Sequence, residues 1–368
     1  MTRPGSAAAG GCRLSPAVKR LQEYAVVMRK NSTTSVTRSV RPSAADTGVA
    51  IDRRLSLGAR LSALLENEAV FGYALMVPAL ALIVIFIAYP FGLGIWMALT
   101  DKLVGKPGDF IGLRNFTHLF ESTIFWQTVW NTVFFTLTAT LFKAVLGMWL
   151  AVLLNRKFRL SRFTRATVLL PFIVPTVLSG LAWLWMFDAT FSVFNWILRW
   201  MWQMELNVFG VMLKENWGYF KGPLWLGEPR WAMASIIIVN TWRGIPFFAI
   251  TLLAGLQTVP QELYDAGDID GTNGWQKFWH ITLPLIKPIA VVVVIFSFVV
   301  TFADFQVVYV LTRGGPHNST HLFATLAYQL GMASGNLGEG AAVALFMFPF
   351  LALVILWQLW YLRREGTY

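Results

Sequence analysis

The chain has 368 residues, of which 56% are hydrophobic, 15% aromatic and only 13% charged, and its formal net charge is +11. This balance excludes an ordinary soluble globular domain and is typical of a membrane protein. No nucleic-acid-binding motif accompanies the positive charge, so we expect that charge to orient the chain in a lipid bilayer. A single cysteine excludes an internal disulfide.

Residues 1–65 precede the first long apolar stretch. They are rich in Ser, Thr, Ala and Arg and have no sustained apolar periodicity, so they can bury too little surface to offset the entropy lost on ordering. We therefore predict a disordered basic cytoplasmic tail over residues 1–65. An all-α integral membrane domain is predicted over residues 66–368.

Six later stretches are apolar enough to cross a bilayer, which takes about 20 mostly apolar residues. They cover residues 71–99, 129–154, 166–187, 232–256, 288–305 and 341–361. Prolines inside the first and third stretches predict kinks there, namely Pro78, Pro90, Pro171 and Pro175.

The connection over residues 188–231 is rich in tryptophan. Its six tryptophans are typical of side chains that rest at a membrane interface: Trp196, Trp200, Trp202, Trp217, Trp225 and Trp231. A short interfacial helix is predicted over residues 193–204.

The distribution of Lys and Arg predicts the direction of the spans. With the N-terminus inside, 20 basic residues lie in the tail, the inner connections and the C-terminus, whereas 8 lie in the three outer connections. The clearest inner connection is NRKFRLSRFTR, which has five bases and no acid. Both termini are therefore predicted to be cytoplasmic.

A polar loop, residues 257–284, interrupts two apolar spans on the cytoplasmic side. Thr258 with Gln261 three residues later has the spacing of a capping box, which predicts a helix over residues 259–269. Asp270 and Gly271 then form a pair that ends helices.

The second half of the polar loop also has helix signals. Asn273 and Gln276 predict a second capped helix that continues to about His280. After it, the sequence TLP is predicted to turn the chain back towards the membrane.

The stretch LQTVPQELYDAGDIDGTNGWQKFWHITLPLIKP resembles the cytoplasmic EAA loop of permease subunits in binding-protein-dependent ABC importers. Three further stretches resemble the corresponding parts of sugar-importer permeases of the maltose and multiple-sugar type. They are AVLLNRKFRLSRFTRATVLLPFIVPTVLSGLAWLWMF, NTWRGIPFFAITLLAGLQTVP and FQVVYVLTRGGPHNSTH. The resemblance covers about residues 70–365. It implies the type I ABC importer fold, with six transmembrane helices and a cytoplasmic coupling helix between spans 4 and 5.

Six positions correspond to the family's ATPase-coupling motif, two of them with a different residue: Asp265, Ala266, Gly267, Gly271, Leu283 and Pro284. The resemblance implies that the first loop helix docks into a cytoplasmic ATPase and that an anionic side chain pairs with a basic ATPase residue. Asp265 stands where the family has glutamate. Gly267 stands where it has alanine, at a helix cost of about 1 kcal/mol.

Two spans beside the polar loop have stripes of polar and aromatic residues. Ser297, Thr301 and Asp304 have helical spacing in the fifth span, and the fourth span repeats that spacing with Asn240, Gly244 and Phe247. Hydrogen-bonding groups beside an aromatic ring suit a sugar, which predicts a substrate pathway.

A purely structural role for the stripe residues stays open. Ser297 and Thr301 could bond their own helix backbone, and Asn240 could join neighbouring helices. For Lys143 and Arg243 we favour snorkelling or pairing across helices over ligand binding.

Other functions fit the sequence less well. The D-x-D spacing of Asp268 and Asp270 occurs in membrane glycosyltransferases, but one acid ends a helix and the other begins a turn. His317 and His321 could share a helical face and bind a metal, but no third ligand is evident. A secondary transporter would favour inverted repeats, and none is seen.

The sequence has no G-x-x-x-x-G-K-[ST] motif and no nucleophile and base pair. We therefore expect no catalytic residue, metal or cofactor in this chain, with ATP and Mg²⁺ bound by a partner ATPase. The partners that the resemblance implies are a second permease, two ATP-binding subunits and an extracytoplasmic solute-binding protein, with a sugar as substrate.

Overall fold

The computed structural model describes residues 68–156, 159–203, 207–208, 211–212 and 222–365. The predicted tail over residues 1–65 lies outside these ranges. By its contacts the chain divides into Met1–Ala74 and Leu75–Tyr368, and nearly all described residues belong to the second unit.

The described residues are mostly helical. The first half contains α1 (Glu68–Ile83), a π-helical turn (Val84–Ala88), α2 (Tyr89–Ala98), α3 (Arg114–Glu121), α4 (Thr123–Asn155), α5 (Ser161–Val168), α6 (Leu170–Ile173), α7 (Thr176–Met186) and α8 (Val193–Gln203). The second half contains α9 (Pro229–Leu256), α10 (Gln261–Ile269), α11 (Gly274–Lys277), a π-helical turn (Phe278–Thr282), α12 (Leu283–Phe302), α13 (Gln306–Leu311), α14 (Phe323–Tyr328), a π-helical turn (Gln329–Ala333) and α15 (Leu337–Glu365). Two two-residue strands, β1 (Asn207–Val208) and β2 (Val211–Met212), pair antiparallel.

Among the described residues, five continuous helical segments are long and apolar enough to cross a membrane, and a bent pair makes a sixth candidate. The bent pair is Ser161–Ile173 with Thr176–Met186, which meet at 88°. Val174 and Pro175 are extended at the break, because a residue before proline is pushed out of the α region. This bend is the kink predicted at Pro175, and the third span predicted over residues 166–187 corresponds to the bent pair.

The fifth span also differs from the prediction. It was predicted over residues 288–305, whereas the continuous apolar segment runs from Gly274 to Phe302. Pro284 lies at the start of α12, directly after the π-helical turn, and the helix runs through it without a break, so TLP continues the helix and does not turn the chain.

The connection over residues 188–231 contains the predicted short helix as α8, although Met204 lies outside the described residues. Its tryptophans do not all behave as interface anchors. Trp196 is 62% exposed, whereas the Trp225 ring packs 5.4 Å from Phe187 and its Nε1 donates to Asn195 Oδ1 at 2.9 Å. Trp225 therefore closes a core cluster.

Asp188 caps the turn that precedes α8. Its carboxylate accepts hydrogen bonds from the backbone N–H groups of Phe191 and Thr190, each at 2.8 Å. These bonds favour the charged form and hold the pKa of the Asp188 carboxyl below its usual range.

Helices α4 and α9 form the most extensive helix pair in the described part of the chain. Gly147 of α4 faces Phe248 of α9 so closely that a Cβ at Gly147 would overlap the Phe248 side chain. Small residues let the backbones of membrane helices approach in this way.

We expect Gly147→Ala to lower the free energy of unfolding by about 1–3 kcal/mol, because the added methyl group overpacks this contact. The measurement is the thermal unfolding of the assembled transporter in detergent. Gly92→Ala is the matched control, since nothing lies within 4 Å of a Cβ there and alanine favours the helix. Equal effects of the two variants would contradict the packing role.

Candidate functional site

The polar loop begins where α9 ends at Leu256. Thr258 was predicted to cap the next helix, but its hydroxyl donates to Gly255 O at 2.8 Å and so completes the end of α9. Pro260 takes the N-cap position of α10 without a side-chain cap. The helix itself is confirmed over Gln261–Ile269.

Helix α10 ends in a Schellman motif centred on Gly271. The N–H of Thr272 donates to Gly267 O at 2.9 Å, and the N–H of Gly271 donates to Asp268 O at 3.2 Å. Gly271 has φ +72°, a left-handed conformation that L side chains rarely adopt. The backbone conformation therefore explains why the coupling motif has glycine at position 271.

Gly267 is the buried residue of α10. The Thr272 hydroxyl also donates to Gly267 O, at 2.7 Å, and a Cβ at Gly267 would lie 2.8 Å from that hydroxyl. An alanine could not fit here unless Thr272 moved. The position of Thr272 thus explains why residue 267 is glycine where the family motif has alanine.

The second half of the loop leads directly into α12. The predicted capping box is confirmed, with the Gln276 N–H donating to Asn273 Oδ1 and the Asn273 N–H donating to Gln276 Oε1, both at 2.8 Å. The predicted second helix does not end near His280: α11 ends at Lys277, and the π-helical turn continues it into α12 at Leu283.

Two contacts fasten α10 to this continuous helix. Tyr264 Oη and Thr282 Oγ1 share a hydrogen bond at 2.9 Å, and Lys277 forms an ion pair with Asp268. A force on α10 therefore reaches the base of α12. The two acids of the D-x-D spacing have different structural roles: Asp268 forms an ion pair with Lys277, and Asp270 is the C-cap residue of α10.

Asp265 is exposed on α10. Within the described part of the chain its carboxylate accepts one side-chain hydrogen bond, from Gln261 Nε2 at 3.2 Å. Ala266 beside it is also exposed, and Ile269 one turn on is 87% exposed. The helix thus offers an anion next to small and apolar surface.

A cavity lies between α4, α9 and α12, and it brings together all six predicted pathway residues. Its lining comprises Lys143, Phe172, Asn240, Arg243, Gly244, Phe247, Phe296, Ser297, Val300, Thr301 and Asp304. Residues from separate helices therefore meet where the sequence predicted two stripes.

Lys143 is the centre of the polar contacts in this cavity. Its Nζ donates to Asn240 Oδ1 at 2.9 Å and to Thr301 Oγ1 at 2.6 Å, so it joins α4 to α9 and α12. Lys143 is 4% exposed. Sequence reasoning left Lys143 outside the site, although a lysine in the middle of an apolar span was the signal.

Asn240 extends the network to a carboxylate. Its Nδ2 donates to Asp304 Oδ2 at 2.6 Å, and Asp304 Oδ1 accepts from the Val307 N–H at 3.1 Å. The predicted helical stripe stops short of Asp304, because α12 ends at Phe302. Asp304 reaches the cavity from the break between α12 and α13.

The hydroxyl of Thr301 also donates to Ser297 O at 2.5 Å, which is the intrahelical bond left open as an alternative. Both roles hold for this residue, because its oxygen accepts from Lys143 while its hydrogen is donated within α12.

Aromatic rings form another part of the cavity lining. The rings of Phe172 and Phe247 stack with centroids 5.9 Å apart, and Phe296 lies 5.4 Å from Phe247. Gly244 leaves room for the Lys143 side chain, which a Cβ would displace. The cavity combines donors, acceptors and apolar faces, the composition of many small-molecule sites.

His317 and His321 do not share a helical face, because residues 312–322 are not helical. His321 is buried, with Nδ1 3.2 Å from Thr325 Oγ1, and burial lowers the pKa of its imidazole. His317 is exposed. Among the described residues, no group of three or more His, Cys, Asp or Glu could hold a metal ion.

The chain is similar in sequence to known transport proteins. A family model described as "Binding-protein-dependent transport system inner membrane component" matches residues 143–366. Identity is 36% over 298 residues with the sulfoquinovosyl glycerol transport system permease protein SmoG of Agrobacterium fabrum, covering 80% of this chain and 88% of that protein. Identity is 33% over 303 residues with the trehalose/maltose transport system permease protein MalF of Thermococcus litoralis, covering 82% and 96%.

A similar fold has been solved. A chain from a bacterial ABC transporter involved in the import of the acidic polysaccharide alginate matches with a TM-score of 0.67 and 22% identity, covering 83% of this chain and 99% of that chain. At this identity the likeness concerns the fold alone.

Proposed function

Because the chain belongs to the family of binding-protein-dependent transport system inner membrane components, it is a permease subunit of an ABC importer and not an enzyme, and we propose that it carries a carbohydrate into the cytoplasm. The observation that carries the proposal is the cavity in which Lys143, Asn240 and Thr301 meet beside three phenylalanine rings. Sugar hydroxyls need paired donors and acceptors, and sugar C–H faces pack on rings.

The names of two relatives support this substrate class. One is named for sulfoquinovosyl glycerol transport and the other for trehalose and maltose transport. Both names denote glycosides. A carbohydrate is therefore the class that the cavity and the relatives have in common.

We infer that the exposed face of α10 docks into an ATPase subunit, with Asp265 as its anion and Ala266 beside it. Gly267, Gly271, Leu283 and Pro284 would hold that helix against α12. ATP binding would close two ATPase subunits, move α10 and, through Tyr264 and Lys277, shift α12 against the cavity.

The proposed assembly has a second permease, two ATP-binding subunits that hold ATP and Mg²⁺, and an extracytoplasmic solute-binding protein. The proposed orientation puts both termini in the cytoplasm, because basic residues concentrate in the tail and the inner connections. In this orientation the polar loop faces the ATPases.

Uptake by the reconstituted transporter tests the proposal. The chain is assembled in proteoliposomes with the permease, ATPases and binding protein encoded beside it, and uptake of radiolabelled saccharides is followed. We expect uptake to require internal ATP and the binding protein and to stop with a non-hydrolysable ATP analogue. Uptake without ATP would indicate a secondary transporter, and sugar release from a nucleotide sugar would indicate a glycosyltransferase.

A further inference from the structure

We propose that the cavity between α4, α9 and α12 takes a carbohydrate with an anionic group, such as a carboxylate or sulfonate, and that Arg243 receives that group. The inference rests on the proposed carbohydrate function and adds the charge of the substrate. It is carried by the contacts of the charged residues in the cavity lining.

Arg243 is a partly buried cation in the middle of α9, and it lines the cavity. Within the described part of the chain, its guanidinium makes no hydrogen bond or ion pair. A guanidinium has five N–H donors and stays charged, and a charge inside a spanning helix is costly unless it has a partner. The cavity is therefore expected to supply an acceptor for it.

The charged groups of the cavity lining are two cations, Lys143 and Arg243, and one carboxylate, Asp304. Asn240 bridges Lys143 and Asp304, since its Oδ1 accepts from Lys143 Nζ while its Nδ2 donates to Asp304 Oδ2. The second carboxylate oxygen of Asp304 accepts from the Val307 N–H. Arg243 interacts with Asp304 electrostatically without a hydrogen bond, so its N–H donors are available to a ligand, and the two cations give the cavity a formal net positive charge.

The position of Arg243 fits a charged group on a sugar ring. Phe247 follows Arg243 by four residues on α9, so both side chains lie on one face of the helix, one turn apart. A sugar whose C–H face rests on Phe247 has its ring substituents near the guanidinium. A planar guanidinium binds carboxylate and sulfonate oxygens through two parallel hydrogen bonds.

Matched pairs of neutral and anionic saccharides test the inference. The complete transporter is placed in nanodiscs, and binding is measured by equilibrium dialysis with glucose and glucuronate, galactose and galacturonate, and cellobiose and cellobiouronate. We expect at least one anionic member to bind about ten-fold more tightly than its neutral counterpart. The preference should shrink as salt is added.

Variants then test whether Arg243 causes the preference for the anionic saccharide. Arg243→Gln should remove the ten-fold difference, and Arg243→Lys should keep part of it because the charge remains. Lys287→Gln is the matched control, since Lys287 is exposed and lies outside the cavity lining. Its substitution should leave the preference unchanged.

Three outcomes would overturn the inference. The first is that no anionic saccharide of the panel binds more tightly than its neutral counterpart, which leaves ATP-driven carbohydrate import standing if neutral saccharides are still taken up. The second is that Arg243→Gln keeps the preference. The third is that Arg243→Gln separates the two permease subunits and Arg243→Lys reassembles them, which would make Arg243 an ion-pair partner of the second permease.

Discussion

The Asn240→Ala variant is expected to lose more than about ten-fold of ATP-dependent uptake. The substitution leaves Lys143 Nζ and Asp304 Oδ2 without the amide that joins them. Hydrogen bonds to charged groups contribute about 1.5–3 kcal/mol each, and about 1.4 kcal/mol corresponds to a factor of ten. The measurement is the initial uptake rate in proteoliposomes at equal amounts of assembled transporter.

Thr241→Val is the matched control for this experiment. Thr241 is the next residue of α9 and is buried, but it does not line the cavity. Its hydroxyl has no hydrogen-bond partner among the described residues, so an isosteric valine should change uptake little. Equal losses in the two variants would point to general damage to α9, and normal uptake by Asn240→Ala would remove the network from the transport pathway.

The Asp265→Lys variant is expected to insert and assemble its membrane helices normally yet lose coupling between ATP hydrolysis and uptake by at least about ten-fold. Asp265 is exposed on α10, so reversing its charge removes no internal ion pair of the described chain. It would place a cation opposite the basic ATPase residue, and truncating one member of an interfacial charge pair already costs about 2–5 kcal/mol. The readouts are co-purification of the ATPase and uptake per ATP hydrolysed.

Two further variants separate the charge pair from general effects. Asp265→Glu keeps the anion and should retain coupling, because one additional methylene only lengthens its reach. Asp109→Lys makes the same charge reversal at an exposed site in the outer connection and should leave coupling intact. Coupled transport by Asp265→Lys would show that α10 docks without this ion pair.

The spans were predictable because apolar length is a local property of the sequence. The stretches predicted over residues 129–154 and 232–256 lie inside α4 and α9. The bend at Pro175 was predicted as a kink, but its size of 88° was not, because the angle is set by what the two halves pack against.

In the polar loop, too, features that depend on neighbouring residues were predictable, whereas features that depend on the path of the chain were not. The capping box of Asn273 and Gln276 was predicted because all its atoms lie within one helical turn. Thr258 has the same local spacing, yet its hydroxyl bonds the preceding helix. The reason for glycine rather than alanine at position 267 could not be predicted, because the position of Thr272 depends on the reversal of the chain after α10.

The sequence was enough to predict that this chain crosses a membrane several times, that a short helix interrupts its spans, and which transport family it belongs to. The contacts by which Lys143 ties the two predicted stripes together form only in the folded chain, because Lys143 is 97 positions from Asn240 and 158 from Thr301. Periodicity assigns a side chain to a face of its own helix, but it contains no information about which faces meet. That is settled by the packing of α4 against α9 and α12, where Gly147 and Gly244 allow the close approach.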